Sequence, residues 1–190
     1  MIYNRLIYIF IFTSLLLSSG SIYGQNVEQW YSTNLDFYVG TWRYTNTTTK
    51  EEFTIKLRKS VYITMTNIKW DCVVGAYTYK KNGVVVLDNM NKYMNDRSIG
   101  NPVPIYATNS RETAAELNPN ELEASIQDYG ILWPGSALPK SGRGVITIVS
   151  TGNPKKIHWE LKDSEGIVII DHTPPPGFSI PTDMILTKIE

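Results

Sequence analysis

The sequence predicts an all-β domain, an antiparallel meander closing as a barrel, with a β-sandwich as the alternative and little helix. Three observations predict it. From Phe37 onward nearly every apolar stretch alternates with period two, the mark of strands with one buried and one wet face. Asn82-Gly83 lies between two such runs, and both residues tolerate the positive φ that a two-residue type I′ hairpin demands. Roughly eight to ten short strands follow one another with neither internal repeat nor dividing linker, which suits one closed or stacked sheet.

The elements follow in chain order. Residues 1–24 read as a signal peptide, with Arg5 as its positive end, Leu6 to Leu17 as its apolar centre, and Ser18, Ser19 and Gly20 as small residues near the cut. The apolar run is short for a membrane span, so residues 25–190 are expected as a single exported β-rich domain without a stable membrane anchor. The segment before Phe37 is expected to supply a helical turn that plugs one end of the sheet. In 51–59, Phe53, Ile55 and Leu57 share one face, and Val61, Ile63 and Met65 extend the pattern. Around Asn82-Gly83, pairing Lys81 with Val84 places Tyr79 opposite Val86 and Thr78 opposite Leu87. The middle, residues 89–120, is rich in turn formers, with one short strand expected near residues 103–107. Leu122, Ala124 and Ile126 alternate as a strand. In the last third, 144–150, 157–162 and 167–171 form a meander, with Ile157, Trp159 and Leu161 inward. The prolines of 172–177 then break the sheet, and 184–190 forms the last strand.

The side chains exclude much. Eighteen basic residues balance eighteen acidic ones, and removing Arg5 leaves about one net negative charge, so nothing draws this chain to nucleic acid. One cysteine, Cys72, allows no internal disulfide and reads as a small buried core residue. His158 and His172 are the only imidazoles and lie beside no nucleophile motif, so no catalytic residue is nominated. No metal or cofactor site is expected. Asp88, Asn89, Asn91, Asn95 and Asp96 are oxygen donors without the spacing of a calcium loop.

The stretch 39–46, Val-Gly-Thr-Trp-Arg-Tyr-Thr-Asn, resembles the Gly-x-Trp signature on the first strand of lipocalin and fatty-acid-binding barrels. That resemblance implies a lipocalin-like barrel in which Gly40 and Trp42 close one end and a basic residue of the last strand, here Lys188, lies across the indole. Those families usually present arginine there, whereas lysine lacks a planar group to stack. The chain is also similar to an uncharacterised family of exported proteins of this length from Bacteroidetes-type bacteria. The shared blocks are the signal peptide, the Gly-Thr-Trp-Arg-Tyr and Phe-Thr-Ile-Lys-Leu runs, residues 75–83 and residues 177–188. That family carries no assigned activity.

Two functional readings lead, ahead of a third class, a hydrolase built on carboxylates from distant strands, for which no pair is singled out. The first is a non-enzymatic barrel holding a small apolar ligand, with Trp42, Ile55, Leu57 and Trp133 as ligand-binding residues. The second is an envelope or surface module with a filled core, binding glycan or protein through exposed aromatics. Trp133, in a Pro- and Gly-containing loop, is the aromatic best placed to meet a partner. Interior residue size separates the two, since bulky inward side chains on every strand leave no cavity.

Overall fold

The computed structural model describes residues 29–30, 32–63, 68–95, 103–111, 117–135, 137–163 and 175–190. The expected signal peptide, Met65, Asp96, the strand expected at 167–171 and His172 lie outside them. The elements are β1 (Gln29–Trp30), α1 (Leu35–Tyr38), β2 (Gly40–Asn46), β3 (Glu51–Ile63), β4 (Lys69–Lys81), β5 (Val84–Asp88), β6 (Ile105–Arg111), β7 (Leu117–Leu132), β8 (Pro139–Ser150), β9 (Lys156–Asp163) and β10 (Asp183–Lys188). A short 3₁₀ turn, Met90–Lys92, follows β5.

Eight strands close a ring in the order β4-β3-β2-β10-β9-β8-β7-β6, and β6 returns to β4. Every neighbouring pair in the ring is antiparallel. Apart from β5 and the closing joint of β10 with β2, neighbours in the ring are also neighbours in the chain. The fold is therefore an up-and-down barrel that fits the lipocalin-like expectation, not a sandwich. Two joints make the difference. β6 meets β4 over Val73 to Gly75, and β10 meets β2 through only two pairs, Thr187 with Arg43 and Lys188 with Trp42.

β4 organises one wall. Its thirteen residues all pair with β3 on one side. Its other edge is divided among β1 at residues 69–70, β6 at 73–75 and β5 at 78–81. Between β6 and β5 the Tyr77 backbone would lack a partner. Asn89 supplies one, its side chain accepting from the Tyr77 N–H at 2.7 Å and its own N–H donating to the Tyr77 carbonyl at 3.1 Å. Val73, Tyr77 and Tyr79 of β4 face the barrel. On the alternate face, Cys72 and Val74 join Val103, Tyr62 and Tyr106 in a second apolar cluster outside it, so both faces of this strand are covered. Cys72 is buried and free, but it belongs to this outer cluster rather than to the barrel core.

Two local expectations are corrected and one is extended. Asn82 and Gly83 take φ of 53° and 75°, and Lys81 does pair with Val84. A bulge beyond Lys80–Val85 then moves Tyr79 opposite Leu87 and Thr78 opposite Asp88. The extra residue turns Leu87 toward the core and leaves three consecutive valines outside. Val61 keeps the alternating phase yet is exposed, because the neighbouring Tyr62 side instead packs against the outer cluster. The run 122–126 belongs to a strand three times its length, Leu117–Leu132.

Leu122, Ala124, Ile126, Ile146, Ile157, Trp159, Leu161, Met184 and Leu186 share one core cluster with Phe53, Ile55 and Leu57. Phe53 on β3 meets Trp159 on β9 with ring centroids 5.4 Å apart. On the shorter path around the wall β2 and β10 lie between these two strands, so the contact spans the interior.

Candidate functional site

The base of the barrel answers the question of Gly40 and Trp42. Leu35, Phe37 and Tyr38 on α1 are buried against it, and the Trp42 indole N–H donates to the Tyr38 carbonyl at 2.7 Å. Gly40 has φ of 125°, and a Cβ there would strike the Glu190 carbonyl and the Lys188 side chain. That close approach lets the Thr41 N–H reach the Glu190 carbonyl at 3.1 Å while the Ile189 N–H reaches the Thr41 carbonyl at 2.9 Å. Glycine is needed here for both its dihedral and its missing side chain. The Lys188 ammonium lies 5.4 Å from the Trp42 ring centroid, and Lys155 lies 4.9 Å from that of Phe37. Burial, with the nearby Lys155 charge, lowers the pKa of Lys188. Tyr38 is fully buried and its hydroxyl finds no hydrogen-bond partner among the described residues; burial first, then the charge of Glu121, pushes its pKa well above 10.

Gly40, Trp42 and Lys188 therefore meet at one end. Leu57 and Ile55 are their ladder partners on β3, opposite Gly40 and Trp42 respectively, and both are fully buried. Trp133 stands apart, at the other end of the barrel in the β7–β8 loop, half-buried, with its N–H donating to the Leu138 carbonyl at 3.0 Å.

That second end, the mouth, carries a cluster that alternation alone did not nominate. Asp128 on β7 and Lys140 on β8 are register partners, and both are almost completely buried. Asp128 Oδ2 accepts from the Ser179 N–H at 2.5 Å, and its Oδ1 accepts from the Gly130 N–H at 2.9 Å and from the Ser179 hydroxyl. Lys140 Nζ donates to the carbonyls of Pro175 and Gly177, each at 2.6 Å, and pairs with Asp163 Oδ1 at 2.5 Å. Its ammonium also sits 4.5 Å from the Phe178 ring centroid.

Residues 175–182 thus form a strap across the mouth. Phe178 lies where a Cβ on Gly142 would be, and Ile180 is buried in the core. The Trp159 indole N–H donates to the Pro181 carbonyl at 3.1 Å, and the Leu161 N–H donates to that of Thr182 at 2.7 Å. Beside it, the Tyr77 hydroxyl donates to the Gln127 carbonyl at 2.7 Å and accepts from the Tyr129 N–H at 3.3 Å, satisfying β7 where β6 has ended. Burial raises the pKa of this hydroxyl well above 10. The sequence does hold a signal for the cluster. Asp128 continues the inward row of Leu122, Ala124 and Ile126, and Lys140 shares the phase of Gly142, Gly144 and Ile146. A charge in phase with an apolar row marks a buried ion.

The chemistry of the cluster is tethering. An ammonium has three protons, and here three oxygens take them. The Ser179 hydroxyl donates to a carboxylate, and among the described residues no imidazole lies beside it. His158 lies elsewhere, on the outer face, with Nε2 2.7 Å from Asp183 Oδ1. Among the described residues no three His, Cys, Asp or Glu side chains converge as metal ligands. Asp88 accepts from the Met90 N–H at 2.9 Å, and the 90–95 turn is held by Arg58, which donates to the carbonyls of Tyr93, Met94 and Asn95.

A patch of paired charge lies at the rim where β3 meets β4. Glu51 accepts from the Tyr79 hydroxyl at 2.6 Å and from Thr49 at 2.7 Å, while Glu52 accepts from Lys80 at 2.8 Å. These hydrogen bonds, Tyr79 foremost for Glu51 and Lys80 for Glu52, lower both carboxyl pKa values below the usual 4.5. A depressed folded pKa adds stability that is complete above about 4.5 and is lost as pH falls through the folded value. The melting temperature is therefore expected to fall between about pH 5 and 3, and Glu51→Gln to flatten part of that fall; thermal scans across this range check it. Burial and then Glu51 raise Tyr79 to about 12.

Among the described residues, grooves lie outside the barrel beside α1 and along the β2–β10 seam. One of about 330 Å³ runs beside α1, between Asp36, Lys59, Ser60 and Asp71. Another of about 450 Å³ follows the two-pair seam of β2 and β10, lined by Arg43, Tyr44, Lys156, Ile185 and Ile189 among others.

No match to this chain is found among the curated proteins or among the solved structures. Its residues 1–189 match one family from end to end, and the chain belongs to it: the family of unknown function DUF6705.

Proposed function

We propose that the protein is an exported, non-enzymatic binding module that engages a protein partner through the mouth end of a filled barrel. The observation that carries this reading is the contrast between interior and rim. Phe53 meets Trp159 across the core, α1 covers the base and the strap covers the mouth. At the mouth end, Leu132 is 51% exposed, Leu138 60% and Val84 66%. Leu132 and Leu138 flank one loop, closed by the Trp133 N–H on the Leu138 carbonyl, and a contiguous exposed apolar patch of this kind marks a docking surface. Trp133 sits in the loop between Leu132 and Leu138 and serves as the aromatic anchor, a type enriched at binding hot spots.

The test places a photo-crosslinking amino acid at position 133 in the exported protein of the producing bacterium. A discrete cross-linked polypeptide, lost when Leu132 and Leu138 are both changed to Ser, supports the reading. Periodate-sensitive retention on envelope glycan, without a protein adduct, replaces the protein partner by a carbohydrate.

A second reading, a small apolar ligand, draws on the strap. Phe178 and Ile180 plug the mouth as such a ligand would, and their departure would open a path toward Ile55, Leu57 and Trp42. An apolar adduct in the native mass spectrum that vanishes on denaturation would favour it over the filled module.

A further inference from the structure

We propose that β5 is a pairing edge and that its occupant is β5 of a second copy of this chain, added antiparallel about a two-fold axis. This names the partner of the mouth-end surface and so rests on the reading above. The observation is an edge protected only by its shortness, five residues, and by one bulge. β5 forms a ladder with β4 on one side, and no strand pairs with its other edge among the described residues. Val84, Val85 and Val86 are 66%, 51% and 50% exposed, so over these three residues both faces of the strand stand in solvent, while Leu87 packs against the core. Between Val84 and Leu87 there is no charge and no proline. Edge strands of monomeric proteins are commonly blunted by lysine, by proline or by a covering segment, because their free N–H and C=O groups otherwise recruit another strand. The bulge at Val86 alone twists this edge without covering it.

The strand is its own complement. A two-fold operation brings the same patch onto itself, so valine lies over valine across the new ladder. Charge selects the direction. The Asn82-Gly83 end of the hairpin carries Lys81, whose side chain is 56% exposed and lies 3.5 Å from Glu51 of β3, and the other end carries Asp88. Antiparallel pairing sets Asp88 of each copy toward the Lys81 end of the other, whereas parallel pairing stacks Asp88 on Asp88. Opposite charges near each other across strands favour the first arrangement, and like charges oppose the second.

Sedimentation equilibrium of residues 25–190 tests this, with Val85→Lys as the variant. Position 85 is solvent-exposed, and the melting temperature serves as the control for folding. The expected result is a concentration-dependent dimer whose dissociation constant rises at least tenfold in Val85→Lys. Hydrogen exchange on the unaltered chain gives a second readout: the amides of 84–88 should slow as concentration rises. A monomer at every concentration, or a dimer equally tight in Val85→Lys with exchange at 84–88 unchanged, overturns the proposal. A monomer that still forms the cross-link at position 133 overturns self-pairing alone and leaves the mouth as a surface for a different protein. Loss of both removes the reading on which it rests.

Discussion

Asp128→Ala is expected to lower stability by about 3–5 kcal/mol, the range for removing one member of a buried charged network. The side chain is completely buried and serves three donors, the N–H groups of Gly130 and Ser179 and the Ser179 hydroxyl. Alanine leaves those donors without their acceptor, and each hydrogen bond to a charged group contributes roughly 1.5–3 kcal/mol without strict additivity. For a domain of this size about 1 kcal/mol corresponds to roughly 2–4 °C, so the midpoint should fall by about 10 °C. The loss should be local before it is global. Phe178 and Ile180 are held over the mouth by this anchor and by Lys140, so limited proteolysis should cut the variant first within 175–182. A midpoint within about 2 °C of the unaltered chain, with the strap still resistant, would mean that Lys140 and the apolar contacts suffice.

At the opposite end, Trp42→Ala is expected to cost about 3–5 kcal/mol, the usual range for truncating a buried tryptophan. Trp42 is fully buried, packs 5.9 Å from Phe37 between ring centroids, and satisfies the Tyr38 carbonyl through its indole N–H. It also belongs to one of the two pairs that join β2 to β10, so the cavity opens at the seam of the barrel. Lys188→Met separates the parts. It retains an aliphatic chain over the indole and removes only the cation, a contribution of about 0.5–2 kcal/mol. Burial and Lys155 already work against that charge, which places the expected loss at the low end. Chemical denaturation of the two variants measures the ratio, and equal losses would assign the closure to charge rather than to packing.

What a single strand can encode is legible in the sequence alone. The alternation of Phe53, Ile55 and Leu57 and of Ile157, Trp159 and Leu161 reports which side meets the core, because a strand has only two faces. The Asn82-Gly83 turn is legible because few residue pairs take two successive positive φ values. Gly40 and Trp42 stand out in the sequence only as a Gly-x-Trp pair; the base geometry supplies the physical content, a dihedral and a close approach at the glycine and a fully buried indole at the tryptophan.

Other features depend on residues distant in sequence. The bulge that exposes Val84, Val85 and Val86 arises from how β5 fits beside a β4 edge already shared with β6. Asp128 and Lys140 read as interruptions of two apolar rows; they become anchors only when residues 175–179 arrive from another hairpin. Barrel and sandwich write the same alternation, so the choice between them rests on the two-pair seam of β10 with β2 and on β6 returning to β4. Period two tells each strand which face is inward, and that is a local matter of backbone geometry. Which strand lies beside it, and which buried charge finds its partner, depends on contacts across the chain that no local pattern contains.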